Sequence, residues 1–255
     1  MPVVLVHGAR VSRTMWRAQL ASLERAGVPA LAVDLPGHGA RTGERFTVDG
    51  CVATIAQGVD DVGGRALVVG LSLGGYVGIR HAAEHPEQVA GLVAAGCSSV
   101  PDQPATALWL LAVKGFERLP DKGAWLNQKL AETALPPEGL AAVAEGGFAL
   151  EVMRDLLEGV RATDPLADLA RIRCPVWFVN GQWDHFRLSE RRFVAAARDA
   201  HIVIVPRATH LASLVQPVAF TRALLEAHAE IARREASGRR PVEQVPGAHA
   251  ARDPR

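Results

Sequence analysis

Cysteine is scarce in this chain, and the three present, Cys51, Cys97 and Cys174, are far apart with no CxxC pair. That spacing argues against a disulfide framework or a zinc site and leaves small, buried thiols as the expectation. Free thiols suit a reducing compartment, so the expected location is cytoplasmic. Charge of one sign is also lacking. The formal net charge of +1 offers no broad field for nucleic acid or an anionic membrane surface. No long hydrophobic run occurs. The opening MPVVLVHG lacks a charged leader, and its apolar stretch is too short for a signal segment or a membrane span. Lysine is rare as well, three among 28 basic residues, which hints at a GC-rich bacterial genome and says nothing about chemistry.

What the 255 residues do contain is alternation. Short β-branched runs recur at 3–6, 30–33, 66–69, 91–95, 176–179 and 201–205, most of them bounded by glycine, proline or charge. Their near-continuous apolar character predicts strands buried on both faces, as in a parallel sheet. Helical patterns lie between them. Trp16, Leu20 and Leu23 share one face, with Gly27 placed to stop that helix. A second pattern covers 74–84, and a last one covers 214–233 with Leu214, Val218, Leu224, Leu225 and Ile231. The expected fold is α/β, a doubly wound, mostly parallel sheet. Residues 98–165 break the alternation with helical segments at 105–116, 124–133, 138–146 and 148–161, punctuated by prolines. They predict a helical cap inserted into a core formed by 1–97 and 166–232. Residues 233–255 have little to bury and predict a disordered tail.

Chemistry concentrates in Gly70-Leu71-Ser72-Leu73-Gly74, a G-x-S-x-G directly between a predicted strand and helix. In that context the serine sits on a sharp turn at the carboxyl edge of the sheet, and the flanking glycines allow close approach of strand and helix. A serine hydroxyl needs a base. His210 lies in a short loop between the last strand and the last helix. His201, at the start of a strand, is a poorer candidate. The base needs a carboxylate to fix its tautomer. Asp184 follows the fifth strand, with Glu190 and Asp102 as fallbacks. Two backbone N–H donors for an oxyanion are expected from Leu73 and from Ala9 in the loop after the first strand. His7 and His38 are expected to brace loops.

Together, VLVHGA (4–9), VDLPGHG (33–39), VVGLSLGG (68–75), NGQWD (180–184) and ATH (208–210) make the chain resemble the α/β-hydrolase superfamily over roughly 2–232. The resemblance implies an α/β-hydrolase fold, with Ser72 as nucleophile, His210 as proton shuttle, Asp184 as its support and 98–165 as the lid. Many members carry two further antiparallel strands ahead of the HG loop. Here the first strand starts at Pro2, so those strands are absent or the start lies upstream. That compact opening is similar to small plant esterases and hydroxynitrile lyases. Gly8, which the lyases usually lack, favours hydrolysis.

The expected activity is hydrolysis of a carboxylic ester of a small or medium apolar substrate through an acyl-enzyme. Lactone, thioester and C–C bond hydrolysis remain open, as does lyase or cyclase chemistry in which the triad only moves protons. A binding protein with a vestigial triad is the third class. Arg10, Trp109, Trp125, Trp183 and His185 are the expected substrate contacts, with Phe116, Phe148 and Phe186 as further aromatics. The same rings also suit the cap's own core. No cofactor or metal is required, the partner is a small molecule, and a homodimer is allowed.

Overall fold

A computed structural model describes residues 1–101, 115 and 124–238. All six anticipated strands form: β1 (Val3–Val6), β2 (Ala30–Val33), β3 (Ala66–Leu71), β4 (Val89–Ala95), β5 (Val176–Gly181) and β6 (Ala200–Val205). They make one sheet in the order β2-β1-β3-β4-β5-β6, and every pairing is parallel. Parallel neighbours need crossovers, and these place helices on both faces.

Side chains alternate across the sheet and so divide the core in two. Val3, Leu5, Leu67, Val69, Val93 and Val179 face Trp16, Leu23, Phe220 and Leu224. Those residues come from the turn and helix at 13–25 and from the last helix. Val4, Val6, Val68, Leu92, Ala94 and Phe178 face Ile55, Val59, Val77, Ile79, Leu169 and Phe193 on the other side. β1, β3, β4 and β5 are buried along their full lengths, as their unbroken apolar runs require. β6 ends the sheet, and its Ile202 and Ile204 are partly exposed.

Four helices follow one another in the insertion: α4 (Ala124–Ala134), α5 (Pro137–Gly146), α6 (Met153–Arg161) and α7 (Pro165–Arg171), with α1 to α3 being Arg17–Arg25, Val48–Asp61 and Leu73–Glu84. The insertion touches loops at the carboxyl ends of the strands. Ala149 N–H donates to Arg10 C=O at 2.9 Å, and Glu145 pairs with Arg17. Val152 packs beside Gly37, and Leu214 lies beside Gly139. The segment anticipated at 105–116 lies outside the described residues except for residue 115.

Three expectations need correction. The helix anticipated over 148–161 begins only at Met153. The last helix is split into Ala212–Val215 and Pro217–Ala236, because Pro217 has no N–H to continue the first helix. Val218, placed on the apolar face by spacing, is 84% exposed. Residues 233–236, expected in the tail, belong to the last helix, which runs on to Ala236. Arg233 and Arg234 pair with Glu230, and Arg234 also reaches Asp199. Residues 239–255 lie outside the described residues. Among the described residues no helix is long and apolar enough to cross a membrane.

Candidate active site

Ser72 sits at the N-cap of α3 with φ 54° and ψ −113°. Positive φ is costly for a residue with a Cβ and persists only where the surroundings over-determine it. The surroundings are two glycines and a neighbouring strand. A methyl on Gly70 would lie 2.6 Å from the Gly75 nitrogen and closer still to the Gly74 carbonyl. A methyl on Gly74 would collide with the backbone of Val6 and come within 2.8 Å of the His7 oxygen. These glycines let the strand end, α3 and the β1 loop share one small volume. The Ser72 N–H donates to Ala95 C=O on β4 at 2.7 Å, which pins the turn.

The residue just after β4 links this turn to the second half of the site. Gly96 has φ +60°, and a methyl there would lie 3.2 Å from Asp184 Oδ2 and from both Cε1 and Nδ1 of His210. The Asp184–His210 pair therefore leans on the residue that follows the Ser72 anchor. Gly96 is itself held by Asn180, whose Oδ1 accepts its N–H at 3.0 Å. The Asn180 amide nitrogen donates onward to Ser98 and Glu190. Ser72 Oγ is not hydrogen-bonded to any described residue.

His210 Nδ1 lies 3.1 Å from Asp184 Oδ1. A carboxylate can only accept, so Nδ1 carries the proton and Nε2 is left as the basic atom. The Asp184 side chain is fully buried, and its Oδ1 also accepts the Phe186 N–H at 2.8 Å. Burial pushes the Asp184 carboxyl up, but the His210 hydrogen bond and charge and the Phe186 N–H outweigh it, and the net shift is down. The Phe186 ring lies 4.6 Å from the His210 ring, and that of His185 lies 5.2 Å away. Burial, then the proximity of His210, lower the His185 pKa, against the pull of Asp184.

The loop after β1 closes the other side. A methyl on Gly8 would sit 3.6 Å from Ser72 Cβ. The N–H groups of Ala9 and of Leu73, in the first turn of α3, make no backbone hydrogen bond among the described residues. His7 holds this loop: its Nδ1–H donates to Gly8 C=O at 2.8 Å and its Nε2 accepts the Leu35 N–H at 2.9 Å. Burial, then His38, depress its pKa to about 3. His38 is buried against the His7 ring, and its Nδ1–H donates to Pro36 C=O. Both histidines therefore brace loops.

The other candidates are spread out. Glu190 is committed to Arg187 and Asn180. Asp102 and Trp109 lie outside the described residues, as does Phe116. His201 opens β6 opposite Trp177, at the far end of the sheet from Ser72, and stacks on that tryptophan. Trp125 and Trp183 are 66% and 62% exposed, while Phe148 packs partly buried against the core. Arg10 donates from Nη1 to Asn127 Oδ1 at 2.8 Å. Cys97 is fully buried beside Gly75, and burial followed by the Asp184 charge raises its thiol pKa, so it is no thiolate. Gly96 and Asn180 were not singled out from sequence. NGQWD contains Asn180, but nothing in the letters tells that its amide reaches the neighbouring strand.

The model of the Alpha/beta hydrolase family matches residues 3–223. A pimeloyl-[acyl-carrier protein] methyl ester esterase of Neisseria meningitidis is 37% identical over 91 residues, covering 35% of this chain and 34% of the relative. Lipase LipV of Mycobacterium tuberculosis is 37% identical over 93 residues, covering 36% and 35%. The chain thus aligns with about a third of the length of these curated relatives. Among solved structures, a thermophilic esterase from Thermogutta terrifontis superposes with TM-score 0.75 at 25% identity, covering 91% of this chain and 90% of that one.

Proposed function

Because the chain belongs to the Alpha/beta hydrolase family, we propose that it is a serine hydrolase cleaving a carboxylic ester of a small or medium substrate, with Ser72, His210 and Asp184 as its triad. The observation that carries this reading is the relay from the strained Ser72 turn through Ala95 and Gly96 to the bonded His210–Asp184 pair. His210 packs against Gly96, the residue after the one whose carbonyl holds the Ser72 N–H, and hydrogen bonds between a nucleophile and its base are often loose before substrate arrives.

In the proposed mechanism His210 Nε2 takes the Ser72 proton as Oγ attacks the ester carbonyl. Asp184 stabilises the imidazolium that forms. The carbonyl oxygen becomes an oxyanion held by the Ala9 and Leu73 N–H groups. The imidazolium protonates the leaving alcohol, and the acyl group stays on Ser72. Water, deprotonated by the same nitrogen, attacks the acyl carbon, and the carboxylic acid leaves as Oγ regains its proton. Phe186 and His185, packed on the imidazole, limit where it can turn.

A fluorophosphonate probe tests the reading. Intact-mass spectrometry is expected to show one adduct on the wild-type chain and none on Ser72→Ala. A panel of 4-nitrophenyl esters of rising acyl length is expected to show Ser72-dependent turnover. A folded wild-type protein that takes no label and turns over no ester overturns the proposal.

A further inference from the structure

Arg10 lies two residues beyond Gly8, so its Cα is at most about 7 Å from the backbone that touches Ser72. Its φ is +65°, a left-handed conformation that a residue with a Cβ takes only where the fold holds it. Two bonds hold it there. Its C=O accepts the Ala149 N–H, and its Nη1 donates to Asn127 Oδ1 on α4.

This guanidinium differs from the chain's other partly buried arginines. Arg80 meets Asp168, Arg187 meets Glu190 and Arg234 meets Asp199. Arg10 meets a neutral amide, and no carboxylate among the described residues stands against it. Loss of solvent is what lowers its pKa. Withdrawing a cation from water without a countercharge is expensive.

Asn127 adds the second observation. It is 8% exposed, and its Nδ2 has no hydrogen-bond partner among the described residues. A guanidinium carries donors only, so the Asn127 oxygen must face Arg10 and its NH2 must face elsewhere. The junction of the β1 loop with α4 therefore holds a desolvated cation and a buried, unused N–H donor. Among the described residues it has no anionic acceptor.

We propose that Arg10 and Asn127 bind a free carboxylate on the substrate, so that the preferred substrates are half-esters of short dicarboxylic acids, esterified at one end and ionised at the other. The assignment rests on Ser72 being the nucleophile for its account of the cleaved end; the anion site itself does not. A planar carboxylate matches the guanidinium fork, and the two residues of chain between Gly8 and Arg10 keep the anion site near Ser72, which suits a short diacid.

The test compares mono-4-nitrophenyl glutarate with 4-nitrophenyl pentanoate, which has the same chain length without the charge. Wild type is expected to favour the glutarate ester at least tenfold in kcat/KM, and Arg10→Met to lower that ratio about 10²-fold. Isothermal titration of glutarate into Ser72→Ala gives a readout independent of turnover. Binding is expected there and at least tenfold weaker in Ser72→Ala/Arg10→Met. Should the arginine variant not fold, Asn127→Asp places a carboxylate against Arg10 and is expected to weaken glutarate at least tenfold. Equal handling of the two esters, or glutarate binding unchanged by these substitutions, overturns the anion site. Tighter binding of inorganic phosphate than of glutarate overturns its assignment to a carboxylate. If neither ester turns over yet glutarate binds through Arg10, the hydrolase reading fails and the anion site stands.

Discussion

Asp184 Oδ1 accepts both the Nδ1–H of His210, at 3.1 Å, and the N–H of Phe186, at 2.8 Å. One buried carboxylate oxygen thus ties the loop after β5 to the loop after β6. Because it favours the Nδ1–H tautomer, it also decides which nitrogen is free to take a proton.

Asp184→Asn removes that preference while keeping the shape. We expect kcat to fall about 10³–10⁴-fold, with a far smaller change in melting temperature. Steady-state kinetics and a thermal melt on the same sample check this. A loss under tenfold would show that another carboxylate supports His210.

Gly96→Ala probes the relay between the two halves of the site. A methyl there meets the Asp184–His210 pair at 3.2 Å and sits at φ +60°, so the imidazole must move by a few tenths of an ångström. We expect kcat/KM to drop about 10- to 100-fold, since sub-ångström misplacement is amplified in the barrier. The backbone strain is expected to cost about 1 kcal/mol. Urea unfolding beside activity separates the two effects.

Gly74→Ala is expected to act on folding first. Its methyl would meet the Val6 and His7 carbonyls, and backbone cannot rotate aside as a side chain can. Destabilisation of about 3 kcal/mol or more is expected, read as a lower urea midpoint. An alanine variant with wild-type stability would mean that α3 can lift away from β1.

Acid should destabilise this protein through its buried histidines. His7 and His81 are each depressed to about 3 by burial, helped by a neighbouring histidine. Below about pH 6.5 the unfolded chain takes up protons that these rings refuse in the folded state, so stability falls as pH drops from about 6.5 towards 3. Asp184, held below the usual carboxylate range, adds stability above that range that is lost as pH falls through its folded value. Neither His81 ring nitrogen has a hydrogen-bond partner among the described residues, so His81→Leu sacrifices none of the described hydrogen bonds. Its urea midpoint is expected to fall less steeply than wild type between pH 7.5 and 4.5. Parallel curves would remove His81 from the account.

Much of the architecture could be read from pattern. Unbroken apolar runs such as 3–6 and 91–95 mark strands buried on both faces, and all of the anticipated strands are present. Gly27 ends the first helix with φ +67°, as its position suggested. Reading failed where a local rule met tertiary context. Val218 fits a helical stripe, yet Pro217 restarts the helix and turns it outward. Arg233 and Arg234 read as tail, yet they extend a helix because Glu230 and Asp199 lie within reach.

Local chemistry in the sequence decided which residues can serve as nucleophile, base and acid, because G-x-S-x-G between strand and helix leaves few conformations open to Ser72. Folding decided the rest. Gly96 comes to lie beneath His210, Asn180 ties β5 to the end of β4, and Arg10 faces an amide rather than a carboxylate. Those relationships join residues 84 to 117 positions apart. They depend on the order in which the sheet assembles and on what each side chain finds there, which periodicity along the chain does not encode.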